Sequence, residues 1–234
     1  KENPNVCFIP TASAEDKSYT VNFYAVYSKL NCTPTHINFF QRTPRLDSVI
    51  NKQDIIFVGG GNTKSMLAVW REWKLDKLLL KAYNRGAILC GVSAGAICWF
   101  EKGITDSWAS NLNVIDCLSF INGVSCPHYN SESDRRPTIH QLINNNKITN
   151  CYASDDGSAL HFKNNQLLHS VKFYKSANSY FIEYSNSNTV FKWGHIQTLY
   201  GYGLSLNTFQ DQSTDFDNRI KGVEFKYSPS DFMD

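Results

Sequence analysis

Short unbroken apolar runs alternate along this chain with longer stretches in which apolar residues fall three or four positions apart. Val6 to Ile9 reads as a buried strand closing at Pro10-Thr11-Ala12-Ser13, and Ser13 with Asp16 predicts a capping box for the next helix. Phe23, Val26, Tyr27 and Leu30 make the apolar face of that helix. Thr35 to Phe40 predicts a second strand and Leu46 to Ile50 a helical turn. Asp54 to Val58 is a third strand, running straight into Gly59-Gly60-Gly61-Asn62-Thr63. Met66, Leu67, Val69, Trp70 and Trp73 line one further helix, and another spans Asp76 to Arg85 and stops at Gly86. A strand from Ala87 to Cys90 and a short helical run from Ala96 to Phe100 follow. Such alternation predicts an α/β fold: a mostly parallel sheet with helices on both faces.

The rhythm changes beyond this point. Asp106 to Asn113 reads as loop, Ser125 to Asn130 as the end of a strand, and Pro137 to Asn144 as a helix with proline in its first turn. Ile148 to Ala153 is a strand closed by Asp155-Asp156-Gly157. Ala159–Phe162 and Leu167–Phe173 predict a β-hairpin across Lys163-Asn164-Asn165-Gln166. Tyr180–Tyr184 and Thr189–Trp193 predict a second one around Ser185-Asn186-Ser187-Asn188. No repeat or linker divides residues 1–205, which read as one domain, and residues 206–234 read as a polar tail with at most one added strand, Gly222 to Tyr227.

With 234 residues, 42% of them hydrophobic, the chain can bury a full core. Its net charge of +2 comes from scattered basic residues, which gives no footprint for nucleic acid. No apolar stretch approaches the roughly 18 residues of a membrane span, and no signal-peptide pattern opens the sequence. The seven cysteines form an odd set without a C-x-x-C pair, several of them inside apolar elements. They predict reduced thiols, a cytoplasmic setting, no disulfide framework and no zinc.

Candidate chemistry centres on Gly91-Val92-Ser93-Ala94-Gly95, a G-x-S-x-G sequence between a strand and a helix. In that frame the serine is lifted out of the sheet as a nucleophile, and the Ala94 amide lies at a helix start where it can hold an oxyanion. The plainer reading is an ordinary tight turn. Gly59-Gly60-Gly61-Asn62-Thr63 ends another strand; it lacks the lysine and Ser/Thr of a phosphate loop and suits a second oxyanion donor better. A serine needs a base, and His128, after a proline at a strand end, is the strongest of six histidines. The acid that orients it is either Asp156 or Asp106, which spacing does not separate. Arg135-Arg136 suggest a carboxylate clamp, with a solvated helix start as the bland alternative.

Four motifs in order, Phe8-Ile9-Pro10-Thr11-Ala12-Ser13 through Gly59-Gly60-Gly61-Asn62-Thr63, Gly91-Val92-Ser93-Ala94-Gly95-Ala96 and Pro127-His128-Tyr129, together with Asp155-Asp156-Gly157, make the chain resemble the peptidase E family. These are aspartyl dipeptidases related to cyanophycinase, on a class I glutamine amidotransferase-like fold. The resemblance implies a serine peptidase for short peptides with N-terminal aspartate. In it Ser93 is the nucleophile, His128 the base, and Asp156 stands where the family often carries glutamate. Asp106 lies near an alternative acid, Gly61 and Ala94 match the oxyanion donors, and Arg135 matches the residue that holds the substrate aspartate. Gly60, Asn62 and Arg136 complete the expected substrate-binding set. No cofactor or metal is expected, and a monomer or homodimer. A non-catalytic ligand-binding protein on the same scaffold is the competing expectation. A simple esterase is another, whereas amidotransferase chemistry would want cysteine at position 93.

Overall fold

A computed structural model describes residues 1–109, 111–185, 188–191, 198–200 and 208–211. The chain order is β1 (Asn5–Ile9), α1 (Lys17–Tyr27), β2 (Thr33–His36), α2 (Leu46–Ile50), β3 (Ile55–Val58), α3 (Thr63–Glu72), α4 (Leu75–Asn84), β4 (Ile88–Gly91) and α5 (Ala94–Ile97). There follow β5 (Phe100–Thr105), β6 (Asn113–Asp116), β7 (Ile121–Cys126), α6 (Arg135–Asn144), β8 (Asn150–Ser154), β9 (Ser158–Lys163) and β10 (Gln166–Lys172). The last described elements are β11 (Ser179–Ser185), β12 (Asn188–Phe191), β13 (Thr198–Tyr200) and β14 (Thr208–Asp211).

The strands sort into two sheets, of order β13-β10-β9-β14-β4-β3-β1-β2 and β12-β11-β8-β7-β5-β6. The run β2-β1-β3-β4 is parallel throughout. Its register sets Ile9 beside Val58 and Val58 beside Gly91. The loops after β1, β3 and β4 therefore leave the sheet side by side, at the strand ends where α/β proteins gather their sites. In the second sheet β7 and β8 are parallel neighbours, with Cys126 beside Ala153.

Period-two alternation explains why the central strands read as unbroken apolar runs. Val6, Phe8, Phe57 and Cys90 point into one cluster, which packs on Phe23 and Tyr27 of α1. Cys7, Ile9, Ile56, Val58 and Leu89 point into the other, with Trp70, Leu79 and Trp99. Both faces are covered, so neither can be polar. A separate core of Val124, Cys126, Ile139, Ile143, Cys151, Ala153 and Ile182 lies between the second sheet and α6.

Several boundaries differ from expectation for local reasons. Asp16, not Ser13, caps α1 by accepting from Tyr19 N at 2.8 Å; Ser13 closes a short 3-10 turn and donates to Pro10 O. The second strand spans Thr33–His36 rather than 35–40, because the Phe39 and Phe40 amides go to the Glu15 carboxylate and not to a ladder. The elbow helix is only Ala94–Ile97, and Phe100 already begins β5. The first hairpin turns on two residues, Asn164 and Asn165, both at positive φ (49° and 65°), the type I′ turn that matches strand twist. A strand does come from the 206–234 segment: β14, antiparallel to β4 and parallel to β9. The expected strand at 222–227, Trp193 and His195 lie outside the described residues.

His161 on β9 is 1% exposed and faces the His169 ring at 5.3 Å. Burial, and then the neighbouring His169 and Lys163, push its imidazole pKa down from 6.5 to about 3. The folded state thus refuses a proton that the unfolded chain takes up below pH 6.5. Stability is complete above that pH and falls beneath it by up to about 1.4 kcal/mol per pH unit. Between pH 8 and pH 5 the wild type should lose about 2 kcal/mol more than His161→Phe, measured by urea unfolding. Equal losses would contradict this.

Candidate active site

β4 ends at Gly91, and the chain reverses over Val92 and Ser93 into α5. Val92 N donates to Val58 O at 3.1 Å, and Gly95 N returns to Val92 O at 2.9 Å, which closes the bend. A β-carbon on Gly95 would stand 2.1 Å from Val58 O, and one on Gly91 2.3 Å from Gly95 O, so the turn can be this tight only with glycine on either side. Gly95→Ala should cost at least about 3 kcal/mol, because the obstacle is backbone and cannot rotate away. Urea unfolding checks it, and a loss below about 1 kcal/mol would mean the bend is loose. Ser93 itself sits at φ 53° and ψ −116°, a strained conformation for a residue with a β-carbon.

That conformation aims Ser93 Oγ at the loop after β7. His128 Nε2 lies 2.9 Å from Ser93 Oγ, and His128 Nδ1 lies 2.7 Å from Asp156 Oδ1. A hydrogen bond from His128, above all, holds the Asp156 carboxyl below its ordinary value of 3.8, with further help from Ser131 and against partial burial. An ionised carboxylate only accepts, so Nδ1 carries the proton and Nε2 is free to accept from the serine hydroxyl. Both ring nitrogens are thereby engaged. Asp106 is not part of this chain of bonds: it is exposed and lines a cleft of about 530 Å3 with Trp108, Leu112 and Ser131 to Asp134.

The glycine loop lies against the same serine. A β-carbon on Gly60 would be 3.2 Å from Ser93 Cβ. Gly61, at φ 131°, threads so close to the first loop that a β-carbon would meet Ala12 O at 2.2 Å. Gly59 N donates to Ile9 O, Gly60 N to the Tyr19 hydroxyl and Asn62 N to Ala12 O. Neither the Gly61 nor the Ala94 amide has an acceptor among the described residues. Two unspent donors thus flank the serine.

Residues 1–169 match the sequence signature of peptidase family S51. The chain belongs to peptidase family S51. Among relatives of this S51 member, the uncharacterized peptidase YgaJ of Bacillus subtilis (strain 168) is 46% identical over 182 residues, which span 77% of this chain and 78% of YgaJ. Peptidase E of Pasteurella multocida (strain Pm70) is 25% identical over 178 residues, covering 70% and 74% of the two chains. Two solved structures share the fold. One is a peptidase E protein from Listeria monocytogenes EGD-e (TM-score 0.52, 22% identity, 83% of this chain and 89% of that one). The other is a peptidase from an acI-B1 Actinobacterium (TM-score 0.55, 14% identity, 80% of each chain).

The remaining expected site residues of this S51 peptidase have local partners. Asn62 spends both ends of its amide: Oδ1 caps α3 by accepting from Ser65 N at 2.9 Å, and Nδ2 donates to Ser107 O at 3.2 Å. Arg135 is 2% exposed, with Nε and Nη2 each 2.7 Å from Glu132 Oε2 and Nη1 donating to Ile104 O at 2.9 Å. Arg136 donates to Tyr129 O at 3.2 Å and lies over the Tyr129 and Tyr180 rings at 4.5 and 5.5 Å. Arg135 is therefore buried, whereas Arg136, in the first turn of α6, keeps half of its side chain exposed. Sequence reasoning did not single out Asn130, Ser131 or Glu132. Their one signal is a run of polar side chains directly after the histidine that ends β7. No helix among the described residues is long and apolar enough to cross a membrane.

Proposed function

We propose that this S51 peptidase is a serine hydrolase that cleaves short peptides through an acyl-enzyme. The observation that carries the reading is the unbroken chain Ser93 Oγ, His128, Asp156, at 2.9 and 2.7 Å. Ser93 Oγ attacks the peptide carbonyl carbon as His128 Nε2 takes the hydroxyl proton. The resulting oxyanion receives the Gly61 and Ala94 amides. The C–N bond then breaks, His128 gives its proton to the leaving amine, and a water activated by the same imidazole releases the acyl group as a carboxylic acid.

The substrate we assign is a dipeptide with N-terminal aspartate. Glu132 already occupies Arg135, so this arginine is a site that accepts a carboxylate, and a substrate aspartate binds there by exchanging with Glu132. Hydrolysis of an Asp-X dipeptide, the same dipeptide with Asn in place of Asp, and a p-nitrophenyl ester tests the assignment. Preference for Asp-X supports it. Equal turnover of the Asp and Asn dipeptides rejects the aspartate assignment, and turnover of the ester alone makes the protein an esterase.

A further inference from the structure

The base and its acid stand at the ends of neighbouring parallel strands, and the ladder joining β7 to β8 stops at Cys126 and Ala153. Beyond it the two exit loops need other links. Tyr129 N donates to Ser154 O at 3.0 Å. The next link is not backbone to backbone: the Asp156 amide donates to Asn130 Oδ1 at 2.8 Å. On its far side the turn is tied to the start of β11, where the Asp155 carboxylate accepts from Asn178 N at 2.9 Å and the Ser158 hydroxyl donates to Asn178 O at 2.9 Å. Asn130 is thus the tie to the Asp156 backbone on the active-site side, two residues from the imidazole that Asp156 must meet, while Ser131 bonds the carboxyl itself. His128 is itself at φ 56°, so the loop that carries the base also carries the anchor of the acid.

We propose that Asn130 is a positioning residue: its side-chain oxygen, by holding the Asp156 amide, sets the carboxylate against His128 Nδ1. This rests on the reading of Ser93, His128 and Asp156 as a triad. Asn130 is exposed, so its hydrogen bond contributes little to folding, and the effect of losing it is concentrated on the geometry of the acid. A displacement near 1 Å in such an assembly lowers the rate by about 100-fold.

The test measures inactivation by a fluorophosphonate at pH 8, with Tm alongside, for wild type, Ser93→Ala, Asn130→Ala, Asn130→Leu, Asn130→Asp, Asp156→Ala and the double variant Asp156→Ala with Asn130→Ala. Both acceptor-free variants should lower the maximal inactivation rate about 100-fold, with probe affinity within about twofold. Asn130→Asp, which keeps an acceptor, should stay within about threefold of wild type. In the Asp156→Ala background Asn130→Ala should change nothing more, since two residues acting through one contact are not additive. The proposal falls if Asp156→Ala is slow while Asn130→Ala and Asn130→Leu react like wild type. It falls equally if Asn130→Ala slows the Asp156→Ala protein by the same factor as the wild type. Should Ser93→Ala and Asp156→Ala both react like wild type, the triad itself is wrong, a result distinct from either.

Discussion

Ser93→Ala is expected to lower peptide turnover by about 10⁶-fold, since removing the nucleophile leaves only the oxyanion donors and binding. The same position allows a separate check on strain. Holding serine at φ 53° and ψ −116° costs about 1–3 kcal/mol, whereas glycine there adds about 0.5–1 kcal/mol of unfolded-chain entropy. The strain term wins, so Ser93→Gly should be inactive yet about 1 kcal/mol more stable than wild type in urea unfolding. A glycine variant less stable than wild type would mean that the bend carries no stored strain.

Asp156→Asn should cost about 10⁴-fold in kcat/KM, because an amide can donate to Nδ1 and so favours the tautomer whose Nε2 cannot take the serine proton. Asp106→Ala should stay within about threefold, as both imidazole nitrogens are already engaged elsewhere. The pH dependence has a definite sign. The folded-state carboxyl of Asp156 titrates below its ordinary 3.8. Its contribution to stability is therefore complete above that pH and lost only as the pH falls through the lower folded value. Loss of activity between pH 7 and pH 5 must then come from a group other than Asp156. The kcat/KM profiles of wild type and Asp106→Ala should superimpose over this range. A 10⁴-fold loss in Asp106→Ala with Asp156→Asn unaffected would exchange the roles of the two acids.

How much of this was legible in the sequence depended on whether the signal was local. Apolar runs that feed two faces, as in β1, β3 and β4, announced a parallel sheet, and Gly91 and Gly95 announced a bend that only glycine permits. His128 was singled out because it follows a strand end, where parallel sheets place their sites. The choice between Asp156 and Asp106 was not legible, since it depends on β7 and β8 being sheet neighbours, a pairing between strands over 20 residues apart in sequence. The same limit hid Asn130 and the Glu132–Arg135 pair, whose partners are set by loop geometry rather than by periodicity. β5 was not legible as a strand, because Phe100–Thr105 carries Glu101 and Lys102 on its exposed positions, which breaks the apolar run. The C-terminal segment misled for the opposite reason: β14 has little apolar pattern of its own, yet it pairs between β4 and β9.

The most direct measurement is to map by peptide mass spectrometry where a fluorophosphonate binds the wild-type protein and His128→Ala. A single adduct on Ser93, at least about 1,000-fold slower to form without His128, is the result the triad requires. No adduct on Ser93, or one that forms equally fast in His128→Ala, would contradict it and leave the serine as a residue of a tight turn.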